Sequence, residues 1–318
     1  MLPGMNLLAS MRYLLALEEH RHFGRAAQAC HITQPALSNA LRTLEQEFGV
    51  VIVRRGRSYG GLTHEGERVL ATAQRMLREH EILQQELHSS AEAVRGSLRM
   101  AAVPTATPVL ARFAALLQRR QPGISPTVLS MSSQELERGL ESLSLDLGLG
   151  YIDRMDQRDN RLRAWPQYTE HYYLVRRAAR PDAPKVGPGI SWGDAASLPL
   201  CLLTPDMHNR TVVNQAFAAA GAGPLRPAIE TNSVMTLVHA VLAGDVCSVM
   251  PGAMAATVRM HDGLEALPLV EPEVLTGIGF MTPLGGRPSR ALEAALALLD
   301  TDEWRAQLVE HAGALGRG

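Results

Sequence analysis

The chain has 318 residues, with 31 Lys and Arg against 32 Asp and Glu and a formal net charge of −1, so it is not one of the strongly basic chains that bind polyanions without regard to sequence. That length holds a small domain plus a larger one with its own core, while Cys30, Cys201 and Cys247 are too few and too far apart for a disulfide framework or a Cys-x-x-Cys metal site. No apolar run approaches the roughly 18 to 20 residues of a membrane span, and the first residues lack a charged-then-apolar secretion pattern, so a cytoplasmic protein with no metal or cofactor is expected.

In chain order, residues 6–20 place Leu7, Leu8, Met11, Leu14 and Leu15 at helical spacing. A short second helix presents Phe23, Ala26, Ala27 and Cys30 to its neighbours, mostly small residues that let helices cross closely. Thr33 then suits an N-cap, and Pro35 falls in the first turn, where its missing N–H has no intrahelical partner to lose. Leu37, Leu41, Leu44 and Phe48 form the inward stripe of this third helix, Gln34, Ser38, Asn39 and Arg42 face outward, and Gly49 ends it. A polar outer face of this kind suits the major groove: Gln or Asn can bond adenine in two places, Arg can do the same with guanine, and Ser38 is an adaptable contact.

Val50 to Val53 predict a strand, followed by Arg54, Arg55 and Arg57 in a glycine-rich hairpin ending at Gly61. The hairpin reads as a wing whose cations meet phosphates or enter a minor groove. Thr33, Gln34, Pro35, Ser38, Asn39, Arg42, Arg54, Arg55 and Arg57 are the candidate DNA contacts. An ordinary helical hairpin with a solvated face accounts for any one of these pieces, but poorly for all of them in this order. Residues 1–66 carry seven arginines against five glutamates, an excess small enough that affinity should depend on geometry and on doubling in a dimer.

Phe23 to Ala27, His31 to Ser38, Leu44 to Gly49 and Leu62 to Gly66 together resemble the head of the LysR-type transcriptional regulators. The resemblance covers the first quarter of the chain. It implies a winged helix-turn-helix dimer, a linker helix, and a two-lobed α/β effector-binding domain similar to periplasmic solute-binding proteins. Asn39 stands where many members carry arginine, as does Ser58 in the wing, so no base preference is transferred.

Thr63 predicts the cap of a long helix reaching about Val94. In it Val69, Ala73, Met76, His80, Leu83 and Leu87 alternate steps of four and three, the heptad signature of a dimer seam, with His80 as an interruption. Packing on its own domain is the other reading of that stripe. Two heads on one seam imply a dimer and an inverted-repeat operator in double-stranded DNA, and the resemblance to the LysR-type regulators implies that the oligomer is a dimer or a tetramer.

After Arg95-Gly96, strands at Leu98–Pro104, Thr127–Ser130 and Leu145–Gly150 alternate with helices at Thr105–Leu117 and Gln134–Leu143, which predicts α/β units around a mainly parallel sheet. The segment from Ser125 to Tyr151 also resembles the first lobe of the LysR-type effector domain. His171–Val175 reads as the strand entering a second lobe, Leu264–Phe280 as the return, and Ser289–Leu299 as a terminal helix. The expected domains are the head at 1–66, a linker and dimerisation helix at 67–94, and an effector domain at 95–318. Its first lobe covers about 97–166 and 268–300, and its second about 167–267.

In open α/β sheets a ligand sits at the carboxyl ends of strands, where helix starts offer unpaired N–H groups. Thr105, Thr107, Ser132 and Ser133 occupy such junctions in the first lobe, and Thr204, His208, Asn232 and Ser233 in the second. They predict a small polar or carboxylate effector between the lobes, although each hydroxyl or amide also suits a helix cap. Asp206 leaves the ligand's charge open. The sequence has no GxxxxGK and no HExxH, so an enzyme is not expected. A solute-binding protein explains only the second half of the chain. A redox-sensing regulator using Cys201 lacks a second cysteine between that residue and Arg210.

Overall fold

The computed structural model describes residues 6–56, 59–88, 94–154, 161–178, 180, 184–258, 261, 263–284 and 287–315. These divide into two compact units, residues 1–88 grouped with 142–144, and residues 89–141 with 145–318.

The first unit begins with α1 (Leu7–His20), α2 (Phe23–Ala29) and α3 (Gln34–Phe48). Each helix start is closed by a side chain. Asn6 accepts from the Ala9 N–H at 3.0 Å, His22 Nδ1 from Gly24 N–H at 3.1 Å, and Thr33 from Ala36 N–H at 3.4 Å. Leu14, Leu17, Ala26, Leu37, Leu41 and Leu44 pack into one core with no more than 1% exposure. Burying a leucine in this way is worth roughly 1.5–3 kcal/mol. Phe48 does not continue the stripe: it is 43% exposed, because the last turn of α3 runs past the edge of the core. Cys30 likewise leaves the packed face, since it is the half-buried C-cap of α2.

A hairpin of β1 (Val53–Arg55) and β2 (Tyr59–Leu62) forms the wing, with Val53 opposite Leu62. The strand starts later than its β-branched residues suggest. Val50 N–H closes the end of α3 on Glu45 O at 3.1 Å, and the Glu45 carboxylate takes the N–H groups of Ile52 (2.9 Å) and Val53 (3.1 Å). Residues 50–52 are thereby tied to the end of α3, while Val51 O and Ile52 O accept from Thr63 just past β2. Thr63 caps α4 (His64–His88) by accepting from Gly66 N–H at 2.9 Å. Gly66 has no alternative, as a Cβ there would lie 2.2 Å from Ile52 O. The sequence predicts that this helix reaches about Val94; residues 89–93 lie outside the described residues, and Val94 itself is not helical.

In the second unit the chain runs β3 (Gly96–Ala102), a 3₁₀ turn (Pro104–Ala106), α5 (Thr107–Arg120), β4 (Ile124–Ser130), α6 (Ser133–Glu141), β5 (Leu147–Tyr151) and β6 (Leu162–Glu170). It continues with β7 (Tyr172–Arg177), β8 (Ile190–Ser191), α7 (Trp192–Ala196), β9 (Cys201–Leu203), α8 (His208–Ala219), β10 (Ile229–Thr231), α9 (Val234–Ala243), β11 (Ser248–Pro251) and α10 (Gly252–Val258). Then come β12 (Leu264–Val270), β13 (Thr276–Pro283), α11 (Arg290–Leu298) and α12 (Asp302–His311).

The first lobe is built on a sheet of order β4-β3-β5-β13-β6, and the second on β11-β7-β12-β8 with the parallel pair β10-β9. The expectation of mainly parallel pairing holds for β3, β4 and β5, but β13 runs antiparallel to β5 and β6, and β7 antiparallel to β11 and β12. The physical reason is the return path. β6 carries the chain out of the first lobe, β12 and β13 bring it back, and such strands oppose the direction set by βαβ units. Phe113, Phe280 and Trp304 meet at tilted and edge-to-face angles in the first lobe's core, Trp304 coming from a terminal helix that the apolar pattern did not reveal. Trp192 and Phe217 meet edge to face at 5.0 Å in the second.

Candidate nucleic-acid interface and ligand cleft

The start of α3 is rigid at its base and free at its surface. Thr33, Gln34, Pro35, Asn39 and Arg42 are exposed and Ser38 is half-buried. The side chains of Gln34, Ser38, Asn39 and Arg42 make no hydrogen bond to another of the described residues. Arg54 is exposed on β1. Arg57 and Ser58 lie outside the described residues, and of Arg55 only the backbone strand is described. The wing is also tied to α1, because the Tyr59 hydroxyl donates to the Glu18 carboxylate. Burial and that bond push the Tyr59 phenol above its ordinary range.

Along α4 the predicted seam divides. Val69 packs on the head core, and Ala73 is fully buried beside Met11 and Leu77 of the same chain. Those two positions are therefore filled from within the unit, because α1 covers that end of α4. Met76, Leu83 and Leu87 are 39%, 53% and 76% exposed and continue the apolar stripe into solvent. His80 Nδ1 is buried without a partner among the described residues.

In the second unit, the first turns that follow β3, β4 and β9 meet at a small cavity lined by Val103, Pro104, Thr105, Ser133, Tyr151, Leu203, Met207, His208 and Asn209. Its volume is about 10 Å³, the room one water needs. Tyr151, at the carboxyl end of β5, is the junction. Its hydroxyl lies 3.3 Å from Thr105 Oγ1 and accepts from Asn209 Nδ2 at 3.4 Å, and its ring meets His208 edge to face at 4.6 Å. Arg154 approaches from the first lobe, bonding Glu137 at 2.8 Å and reaching His208 Nδ1 at 3.2 Å. Burial pushes the Tyr151 phenol up to about 12. Burial, and then the Arg154 charge, hold the His208 imidazole below its usual range.

The cavity brings together Thr105, Ser133 and His208 of the predicted residues, but not the others. Thr107 turns its hydroxyl to Val103 O at 3.4 Å. Ser132 forms a reciprocal cap with Glu135, giving its own N–H at 2.9 Å and accepting from Glu135 N–H at 3.3 Å. Ser233 caps α9 through Thr236 N–H at 3.3 Å, and Asn232 is exposed beside it. Thr204 is not among the lining residues, and its hydroxyl is buried without a partner among the described residues. Ser132 and Ser233 thus sit at helix starts and are used there as caps. Tyr151, Asn209, Met207 and the supporting Arg154 were not singled out by the sequence. Tyr151 was findable, since it is the last residue of a strand whose carboxyl end faces the cleft. Asn209 and Arg154 carry no signal of their own.

Beside the cavity lies the crossover between lobes, where only His171 separates β6 from β7. Tyr172 OH is 3.1 Å from Thr276 Oγ1 of the returning strand, and the buried Glu170 carboxylate accepts from Ala253 N–H at 3.2 Å. Burial raises the Glu170 carboxyl to about 8.

Comparison with known proteins agrees with both halves of this description. Residues 8–67 match the model for the bacterial regulatory helix-turn-helix protein of the lysR family, and residues 91–302 match the LysR substrate binding domain. The DNA-binding transcriptional dual regulator OxyR of Escherichia coli K12 is 28% identical over 92% of this chain and 96% of its own length. The SDS degradation transcriptional activation protein of a Pseudomonas strain is 30% identical over 94% of this chain and 97% of its own length. Among solved structures, a full-length OxyR variant from Pseudomonas aeruginosa superposes with a TM-score of 0.68 at 24% identity, covering 93% of this chain and 98% of that one. Full-length CbnR complexed with target DNA gives 0.63 at 21% identity, covering 92% and 98%. Both establish the fold. The chain belongs to the LysR family of DNA-binding transcriptional regulators, a family of regulators and not of enzymes. No helix of the described residues is long and apolar enough to cross a membrane.

Proposed function

We propose that the protein is a ligand-modulated DNA switch acting in the cytoplasm. Its heads, residues 1–66, bind an inverted-repeat operator through Thr33, Gln34, Pro35, Ser38, Asn39, Arg42, Arg54, Arg55 and Arg57. Residues 67–94 pair the chains in a dimer or tetramer, and residues 95–318 bind a small polar or carboxylate metabolite between the lobes. The single observation that carries the reading is the cavity itself. It is lined by both lobes, held by the Tyr151–Asn209 and Arg154–His208 contacts across the lobe boundary, and has room for about one water. A larger ligand has to change how far the lobes are closed, and a ligand with different affinity for two closure states shifts the population between them. The exposed Met76, Leu83 and Leu87 support pairing along the distal part of α4, since an apolar stripe of that spacing is stable when a second helix covers it.

The hydrogen-peroxide response named for the Escherichia coli relatives is not carried over to this chain. Cys201 and Cys247 are backbone neighbours, with Cys201 N–H on Cys247 O at 2.8 Å, yet their side chains enter two separate core clusters. Burial pushes both thiols up, away from the reactive thiolate.

The test is a gel shift with DNA from upstream of the protein's own gene, beside the same DNA with its dyad scrambled, with light scattering on the free protein. Binding of the intact dyad by a dimer or tetramer supports the reading. Equal binding of both DNAs, or a monomer, overturns it.

A further inference from the structure

The cavity's chemistry goes beyond "small and polar". Arg154 Nη1 lies 3.2 Å from His208 Nδ1, and a guanidinium has only donors to offer. Nδ1 must therefore accept, which leaves the proton of a neutral ring on Nε2. A protonated ring would set N–H against N–H, and the lowered imidazole, caused by burial and by Arg154, agrees with the neutral form. Asp153 is exposed, and the Glu137 carboxylate is held by Arg154. With Tyr151 on the ring's other side, these are the titratable groups around His208.

Nε2 of His208 is buried and has no hydrogen-bond partner among the described residues. Ser133 is only 8% exposed and lines the cavity, and its hydroxyl likewise meets no partner among them. The helix starts add to this. Met207, which precedes α8, supplies no capping side chain, whereas Ser132, Ser191, Ser233, Ser289 and Thr301 cap other helices of this unit and α5 runs on from the 3₁₀ turn, with Thr107 N–H on Pro104 O. The open start of α8 places partial positive charge beside the unused donors.

We propose that the cavity is an oxyanion site, with the Nε2–H of neutral His208 and the Ser133 hydroxyl as the donors that select its ligand, and with Arg154 as the positioning residue that sets the His208 tautomer. It rests on the reading of the cleft as the effector site. It adds that the effector presents a compact acceptor group, a carboxylate or an inorganic oxyanion, that an amide with its single neutral oxygen binds less well, and that ammonium groups of the same size are rejected. A ligand that can only donate would meet Nε2–H and leave both groups unpaired.

The experiment uses the full-length protein labelled with ¹⁵N in histidine, with His208→Gln to assign the ring signals. The expected result is an unprotonated Nδ1 and a protonated Nε2 in the free protein. Sodium acetate, sulfate or inorganic phosphate, titrated separately, should move the Nε2–H signal, with methylammonium chloride leaving it in place and acetamide moving it only at a concentration about tenfold higher or more, all at equal ionic strength. Whichever of the three anions binds, Ser133→Ala should raise its half-saturating concentration about tenfold. A proton on Nδ1, an equal response to acetamide, or no response to any of the anions overturns the proposal, the last outcome leaving a water as the partner of Nε2. Wild-type binding to the operator, measured in parallel, separates the two levels. Failure there removes the regulator reading while the anion result stands on its own, and intact DNA binding with no anion response removes the oxyanion site alone.

Discussion

The helices α3 and α8 both begin at candidate functional surfaces, but they begin differently. Thr33 closes the first turn of α3 and frees Gln34, Ser38, Asn39 and Arg42 to face outward, while Met207 leaves α8 open and turns His208 and Asn209 toward Tyr151. A reading helix has to hold its shape in water before any partner arrives, so its N–H groups are satisfied locally. A ligand-binding helix gains by leaving them for the ligand. The same contrast runs through the two units. The candidate contacts of the head are mostly solvated, whereas the second unit buries Glu137, Asp146, Glu170 and Arg210 and needs a partner for each.

The largest expected effect is in the head core. Leu41→Ala removes a side chain with 1% exposure and should cost about 2–5 kcal/mol. In urea unfolding followed by circular dichroism, the helical transition of the head should fall while that of the second unit stays; a common shift of both would show that the units unfold together.

Next comes Glu170, where the second unit departs most from the head. Its folded carboxyl is raised to about 8 from an ordinary 4.5. The folded protein therefore holds the proton more tightly than the unfolded chain, and stability declines as pH rises from 4.5 through 8. Glu170→Gln keeps the protonated shape at every pH. It should exceed wild type by on the order of 2–3 kcal/mol at alkaline pH and lose that advantage in acid. Urea titrations at several pH values read this directly, and a gap independent of pH would mean that the carboxylate is ionised throughout.

On DNA, Gln34→Ala or Ser38→Ala should weaken operator binding by about 1–3 kcal/mol and leave scrambled DNA nearly unaffected. Equal losses on both would make these side chains structural. The smallest effects address the caps themselves. Thr33→Ala should cost the head about 1 kcal/mol, and Met207→Ser, which offers α8 the cap it lacks, should stabilise the ligand-free second unit by a similar or smaller amount. Thermal unfolding checks both, and a destabilised Met207→Ser would show that its side chain matters more to packing than to the open helix start.

The head was legible because its determinants are local. Thr33, Pro35, the Leu37, Leu41 and Leu44 stripe and Gly49 each act within a few residues of where they stand, and Gly49 takes the left-handed conformation at φ 65° that such an end requires. Legibility failed where a contact came from further away. Glu45 reaches the N–H groups of Ile52 and Val53 and turns a β-branched run into an anchor, and the head itself fills Val69 and Ala73, the first two positions of the predicted seam.

The cleft shows the same division more sharply. From the sequence alone came the alternation of strands and helices, the strand ends where a ligand could sit, and three of the residues now found on the cavity, Thr105, Ser133 and His208. What the sequence does not contain is which hydroxyl is already used. Ser132 and Ser133 are neighbours of identical chemistry, yet Ser132 exchanges hydrogen bonds with Glu135 while Ser133 meets the cavity. Tyr151, Arg154, His208 and Asn209 are brought together across the lobe boundary by the crossover strands, over separations of 54 and 58 residues. Helix propensity, caps and apolar period act over one or two turns and so belong to the sequence. The tautomer of His208 and the protonation of Glu170 depend on neighbours that only folding supplies, and for that reason only the tertiary structure decides them.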